Sequence, residues 1–188
     1  MNNRENLLKC ALGLFASRGY DAVGVQEIAD AAGITKPTLY HYFGSKSGLL
    51  STLLGEEFEP FFTTLEMATR YQGDVTNSLR AVSSLYFDFA QQNPTLYRFS
   101  LSLSFAPPES EAFLAARALI ERQQQLLEDL FASAALDHGN MKGRQRTYAA
   151  SFLGIVNTYA VLSLNGNAEL DQNRVYVVVH QFMHGIFS

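Results

Sequence analysis

Apolar positions recur at helical spacing along almost the whole of this chain. Leu8, Ala11, Leu12 and Phe15 form one stripe and predict a first helix over residues 4–17, stopped by Gly19. Val25, Ile28, Ala29 and Ala32 fall at i, i+3, i+4 and i+7 and predict a second, which Gly33 ends. Thr35 is placed as the N-cap of a very short third helix, with Pro37 in its first turn and Ile34 and Leu39 as a hydrophobic staple. Gly44-Ser45 reads as a turn and cap, and a fourth helix starts near Lys46 with Leu49, Leu50, Leu53, Leu54 and Phe58 as its stripe. Gly48 and Gly55 soften that helix, and Pro60 is expected to kink or break it. Asp74 caps a fifth helix that reaches Gln92, and Asn93-Pro94 opens a short sixth. Ala106-Pro107-Pro108 ends the segment after the sixth helix. A seventh helix is expected over 110–133, an eighth over 142–164, and a ninth from the Asp171 cap to the C-terminus. The pattern contains no convincing strand and no internal repeat, so the fold class is all-α, with about nine helices.

The third helix has two unlike faces. Leu39 and Phe43 are one turn apart and point inward together. Pro37, Thr38, Tyr40 and His41 point outward, with Lys36 and Tyr42 on the flanks. This face offers hydroxyls, an imidazole, aromatic edges and an ammonium, and it has no carboxylate that would repel a polyanion. A helix, a glycine turn and a second short helix is the helix-turn-helix arrangement, whose second helix enters the DNA major groove.

The run Gly33-Ile-Thr-Lys-Pro-Thr-Leu-Tyr-His-Tyr-Phe-Gly-Ser-Lys46, followed by Leu49-Leu50, resembles the DNA-binding signature of the TetR/AcrR transcriptional regulators. Residues 7–28 fit the same pattern, so the resemblance covers the first 50 residues or so. It implies an N-terminal three-helix DNA-binding domain over 1–47 and a helical ligand-binding and dimerisation domain over 48–188. It implies that Lys36, Thr38, Tyr40 and His41 reach base edges or nearby phosphates, that Thr35 and Pro37 border the DNA, and that Gln26, Tyr42 and Lys46 hold phosphates. The sequence departs from the family pattern at two points. Gly24 and Val25 stand where a capping Thr or Ser is usual, and Gly48 stands where an acid often completes a capping box.

Charge narrows this reading. The net charge is −4, which argues against a general nucleic-acid coat. Residues 1–48 carry five Lys/Arg against four Asp/Glu, whereas 49–188 carry nine against fourteen. DNA binding must therefore be local, through one small surface. The N-terminus is polar and shows no signal peptide, and a single cysteine, Cys10, excludes an internal disulfide. Both suit the cytoplasm. Residues 147–168 hold no charge, but Ser151, Asn157, Thr158, Asn165 and Asn167 interrupt them, so a helix buried on most of its circumference is expected and no membrane span.

The second half is rich in aromatic residues, more than a small helical bundle packs solid. An apolar effector pocket is expected among Phe58, Phe62, Tyr86, Phe89, Tyr97, Phe113, Phe152 and Tyr159, with Arg98, Gln91 or Asn157 as polar groups. The eighth and ninth helices are apolar around too much of their surface for one neighbour. Val175, Val179, Phe182 and Ile186 make one face of the ninth; Tyr176, Val177, His180, His184 and Phe187 make the other. A homodimer seam is expected through Tyr148, Phe152, Val156, Tyr176, Val177, His180 and His184.

His180 and His184 have metal-ligand spacing, but no Cys, Asp or Glu follows Asp171, so no metal is expected. No nucleophile elbow, phosphate-cradling glycine loop, HExxH or CxxC is present, and neither enzymatic function nor a cofactor is expected. The reading is a cytoplasmic, homodimeric transcriptional regulator that binds a near-palindromic double-stranded DNA operator. The resemblance further implies a repressor released by a small apolar or aromatic molecule. The rival reading is a helical protein-protein interaction module without an operator.

Overall fold

A computed structural model describes residues 2–185, so Ile186 and Phe187, assigned above to the two faces of the last helix, lie outside the described residues. Among the described residues the order is α1 (Asn3–Arg18), α2 (Val25–Ala31), α3 (Lys36–Phe43), α4 (Lys46–Ala68), α5 (Val75–Gln92), α6 (Pro94–Leu103), α7 (Glu111–Ala134), α8 (Gln145–Leu164) and α9 (Gln172–His184). A single 3-10 turn, Gly139–Met141, precedes α8. The expected caps are present where side chains could reach. The Asp74 carboxylate accepts from the Asn77 N–H at 3.0 Å, and Asp171 accepts from the Arg174 N–H at 2.7 Å. Ser45 Oγ accepts from the Gly48 N–H at 2.9 Å, so α4 is capped without an acid at Gly48. A Cβ on Gly48 would run into the carbonyl oxygen of Phe43.

Three expectations change. Pro60 does not break α4, which continues to Ala68. Helix α8 begins at Gln145 and not near Lys142, because Gly143 takes a positive φ of 80° and interrupts the approach. Helix α8 is not buried on most of its circumference: only 22% of its apolar window is buried.

The chain folds into two compact units that are not contiguous in sequence. The first comprises Met1–Glu59 and Thr95–Ile120, and the second Pro60–Pro94 and Glu121–Ser188. Helices α4 and α7 therefore contribute to both.

In the first unit, Leu7, Leu8, Ala11 and Phe15 of α1 are buried, as are Ile28 and Ala29 of α2 and Leu39 and Phe43 of α3. Leu49, Leu50, Leu53 and Leu54 of α4 are buried as well. Arg4 makes a two-pronged ion pair with Glu56 and lies 5.6 Å from the centre of the Phe43 ring. That hydrogen bond holds the Glu56 carboxyl below its usual range.

In the second unit α5 packs on α8 and α9. It buries Leu79, Val82, Ser83, Tyr86 and Phe87. Helix α8 buries Ala149, Phe152, Val156 and Ala160, and α9 buries Val175, Val178 and Val179. Phe152 and Val156 are fully buried inside their own chain and so cannot face a partner, contrary to the expectation above. The period of 3.6 placed them on an apolar helix, but only packing decides which of two apolar faces turns inward. Phe152→Ala should lower unfolding stability by about 3–5 kcal/mol, the cost of deleting a buried ring and leaving a cavity. Urea denaturation at one fixed protein concentration checks this as a lower midpoint.

Candidate nucleic-acid interface and the cavity of the second unit

Helix α3 has eight residues, too few to be stable alone. Leu39 and Phe43 are buried and hold it against the rest of the first unit. Gly33, at φ 68°, makes the turn that sets α3 across α2. The outward face is then fixed. Lys36, Pro37 and His41 are exposed, Thr38 is half-buried, and Tyr40 and Tyr42 are each 41% exposed.

Thr35 occupies the N-cap position with extended backbone, but its hydroxyl makes no cap bond. It pairs with the Thr38 hydroxyl at 2.9 Å, so both oxygens lie together at the start of α3. The Lys36 ammonium sits 5.8 Å from the centre of the Tyr40 ring, and the His41 and Tyr42 rings are 5.8 Å apart at 60°. Gln26 donates to the Asp30 carboxylate at 2.8 Å, so its amide is already engaged by an acid of its own helix. Glu27, the other acid of α2, is paired with Arg18.

Lys46, in the first turn of α4, carries a charge that the helix dipole disfavours there. Its ammonium lies 4.1 Å from the centre of the Tyr20 ring, whose negative face offsets that conflict. Tyr20 is absent from the sequence-derived site. Its only sequence signal is an aromatic residue next to Gly19 in the turn after the first helix.

The residues nominated for an effector pocket divide between the units. Phe58, Tyr97, Arg98 and Phe113 belong to the first, and Phe62, Tyr86, Phe89, Phe152, Asn157 and Tyr159 to the second. Tyr97 is buried, and burial pushes its phenol upward. In the second unit Phe61 is the centre of an aromatic cluster, 4.9 Å from Tyr86 edge-on and 4.8 Å from Phe89. The Tyr86 hydroxyl donates to Gln123 Oε1 at 2.8 Å. The Arg122 guanidinium covers Phe62 at 4.2 Å and pairs with Glu66 at 2.8 Å.

A cavity of about 480 Å³ lies elsewhere in this unit, lined by Val75 and Leu79 of α5, Phe131 of α7, Met141, Tyr148 and Ile155 near and on α8, and Phe182 of α9. Asn140, Thr147, Ser151 and Gln181 add polar groups. None of the nominated pocket residues lines it. Tyr148, expected at a dimer seam, does, and its ring rests on Phe131 at 5.5 Å. The cavity joins the start of α5, the end of α7 and the end of α9, a juxtaposition that periodicity within single helices does not reveal.

On the outer side of α9, Tyr176 is 50% exposed and His180 and His184 are exposed. The Tyr176 and His180 rings are 5.5 Å apart, the two histidine rings 4.6 Å apart, and the Arg80 guanidinium lies 6.0 Å from Tyr176.

Residues 7–53 match the family model described as bacterial regulatory proteins, tetR family. The chain is 29% identical over 185 residues to the HTH-type transcriptional activator FasR of Mycolicibacterium smegmatis, an alignment covering 98% of this chain and 83% of FasR. Its fold is similar to that of a putative fatty acid metabolism regulator of Clostridium perfringens, with a TM-score of 0.81, 19% identity, and 97% and 99% of the two chains covered. It is similar also to the transcriptional regulator FadR of Bacillus subtilis, solved with stearoyl-CoA, with a TM-score of 0.79, 19% identity, and 97% and 98% covered. Residues 7–53, which run from α1 into the first part of α4 and include the acid-free outward face of α3, match a TetR-type DNA-binding region, and over its length the chain is similar to transcriptional regulators.

Proposed function

We propose that the protein is a cytoplasmic, homodimeric repressor that acts by binding and not by catalysis, and that an acyl thioester of coenzyme A releases it from a near-palindromic operator. The observation that carries the DNA part is the acid-free outward face of α3, pinned by Leu39 and Phe43. Lys36, Thr38, Tyr40 and His41 take the base-reading positions. Thr35 and Pro37 border the backbone, and Gln26, Tyr42 and Lys46 take phosphates. For Gln26 this requires exchange of its Asp30 bond. The proposed division of labour falls near residue 47, with DNA reading before it and effector binding and dimerisation after it. His41→Ala should lose more affinity for a selected operator than for random DNA, by roughly tenfold for a contact worth about 1–3 kcal/mol. Fluorescence anisotropy on both duplexes measures this, and equal losses would remove His41 from base readout.

The apolar surplus of α8 and α9 supports the dimer. Val161 and Leu162 are exposed, and the open stripe Ala150, Gly154, Thr158 is small enough for close approach of another helix. Tyr176, Val177, His180 and His184 complete the seam on α9, with Tyr148 at its edge, while Phe152 and Val156 support it from inside. Gly154→Glu or Val177→Glu should place an unpaired charge in the seam and convert the dimer to monomer. Light scattering at micromolar concentration reads the change; a wild-type monomer sinks the dimer.

The cavity supports the effector. Its apolar walls with a few polar groups suit a ligand with a long apolar body and a polar end. The stearoyl-CoA of the Bacillus subtilis FadR structure belongs to that chemical class. Palmitoyl-CoA should release the operator and coenzyme A alone should not. Ile155→Trp fills the cavity and should abolish the response while leaving effector-free DNA affinity unchanged. If the response survives Ile155→Trp but falls in Phe89→Ala, the acyl chain uses the aromatic wall of Phe62, Tyr86 and Phe89 instead. A ligand can act only through its differential affinity for two conformations, so release and ligand affinity must change together.

A further inference from the structure

Tyr20 lies in the turn between α1 and α2, is 4% exposed, and meets three other elements of the first unit. Its ring packs on Phe15 of α1 with centroids 5.2 Å apart. The Lys46 ammonium of α4 lies over the ring at 4.1 Å. Its hydroxyl donates to Glu111 Oε2, in the first turn of α7, at 2.6 Å, the length of a charge-assisted bond. Phe15 in turn stacks on Phe99 of α6 at 5.9 Å and 22°. Burial and the Glu111 bond both push the phenol upward, so it remains a donor across physiological pH.

Each link has its own physical reason. An acid in the first turn of α7 is favoured by that helix's dipole. A phenol donating to a carboxylate gains electron density in its ring, and the ring face attracts a cation more strongly. The cation it attracts is one that its own helix terminus disfavours. The direction of the Lys46 side chain is thus set by a residue of α7, 65 positions away in sequence.

We propose that Tyr20 and Glu111 are positioning residues for DNA binding: Glu111 fixes the Tyr20 ring, and the ring aims the Lys46 ammonium at a backbone phosphate. The inference rests on Lys46 as a phosphate anchor. It gives α7 a direct hold on the DNA interface, so that a displacement of the first turn of α7 reaches Lys46 without passing along α4.

The test is the salt dependence of binding to an operator duplex selected from random DNA, with full-length protein and Tyr20→Phe, Glu111→Gln, Lys46→Ala and the Tyr20→Phe/Lys46→Ala double variant. Lys46→Ala should reduce the slope of log K against log salt by about 0.9, one phosphate contact. Tyr20→Phe, which keeps the ring and removes the hydroxyl, should weaken binding about three- to tenfold at moderate salt and lower the slope toward that of Lys46→Ala. Glu111→Gln should do the same to a smaller extent. Tyr20→Phe should add little once Lys46 is gone. Circular-dichroism melting and active-site titration separate this from loss of fold, because a merely structural role lowers the melting temperature or the active fraction and leaves the slope of the folded protein untouched. A changed slope in Lys46→Ala, together with wild-type affinity and slope in Tyr20→Phe and Glu111→Gln, overturns the positioning role alone. Full additivity in the double variant does the same. An unchanged slope in Lys46→Ala overturns the anchor and, with it, the inference.

Discussion

A helix of eight residues cannot hold its own shape in water, and α3 is the helix proposed to read the DNA. Its conformation is borrowed. Leu39 and Phe43, one turn apart, are buried against the rest of the first unit, and that burial fixes both that the segment is helical and which way its other side chains point. Thr38, Tyr40, His41 and Tyr42 face outward because two neighbours in sequence cannot. The anchorage extends beyond α3. Phe43 carries the Arg4 guanidinium on its face, and Arg4 is paired with Glu56 of α4, so the first turn of α1 and the middle of α4 are both tied to the C-terminal end of α3.

The unit built around that anchor contains Thr95–Ile120 as well as the first 59 residues. The reason is visible in two contacts, Phe15 on Phe99 and Tyr20 to Glu111. The first brings α6 onto α1, and the second brings the start of α7 onto the turn that follows α1. Helix α7 belongs to this unit by its first half and to the second unit by its last, where Phe131 lines the cavity. A single helix of 24 residues therefore carries both a wall of the proposed effector site and the carboxylate that steadies Tyr20.

The second unit is governed by an excess of apolar surface. Helix α8 satisfies the length and composition of a membrane span, yet only one side of it is buried, by α5 and α9. Small and hydroxyl-bearing residues occupy the open side: Ala150, Ser151, Gly154 and Thr158. Thr158 bonds back to the Gly154 carbonyl at 2.7 Å, which satisfies its hydroxyl within the helix and leaves a face that another helix can approach closely. On α9 the exposed Tyr176, His180 and His184 rings follow one another at tilted angles along the outer side of the helix.

The sequence by itself determined the helices, most of their caps, and the inward pair of α3, because these depend on residues within four positions of one another. Asp74, Asp171, Ser45 and Gly33 act on their own turns, and the recognition signature is a contiguous run. Contacts between distant segments were decided only by the tertiary structure. The Tyr20–Glu111 bond joins residues 91 apart, and nothing in either local pattern announces it. The cavity is made by the start of α5, the ends of α7 and α9 and the first half of α8, and no pattern within a single helix brings those segments together. Phe152 and Val156 show the same limit: on a helix that is apolar nearly all round, periodicity cannot tell the inner face from the outer one, and it is the neighbouring helices α5 and α9 that choose.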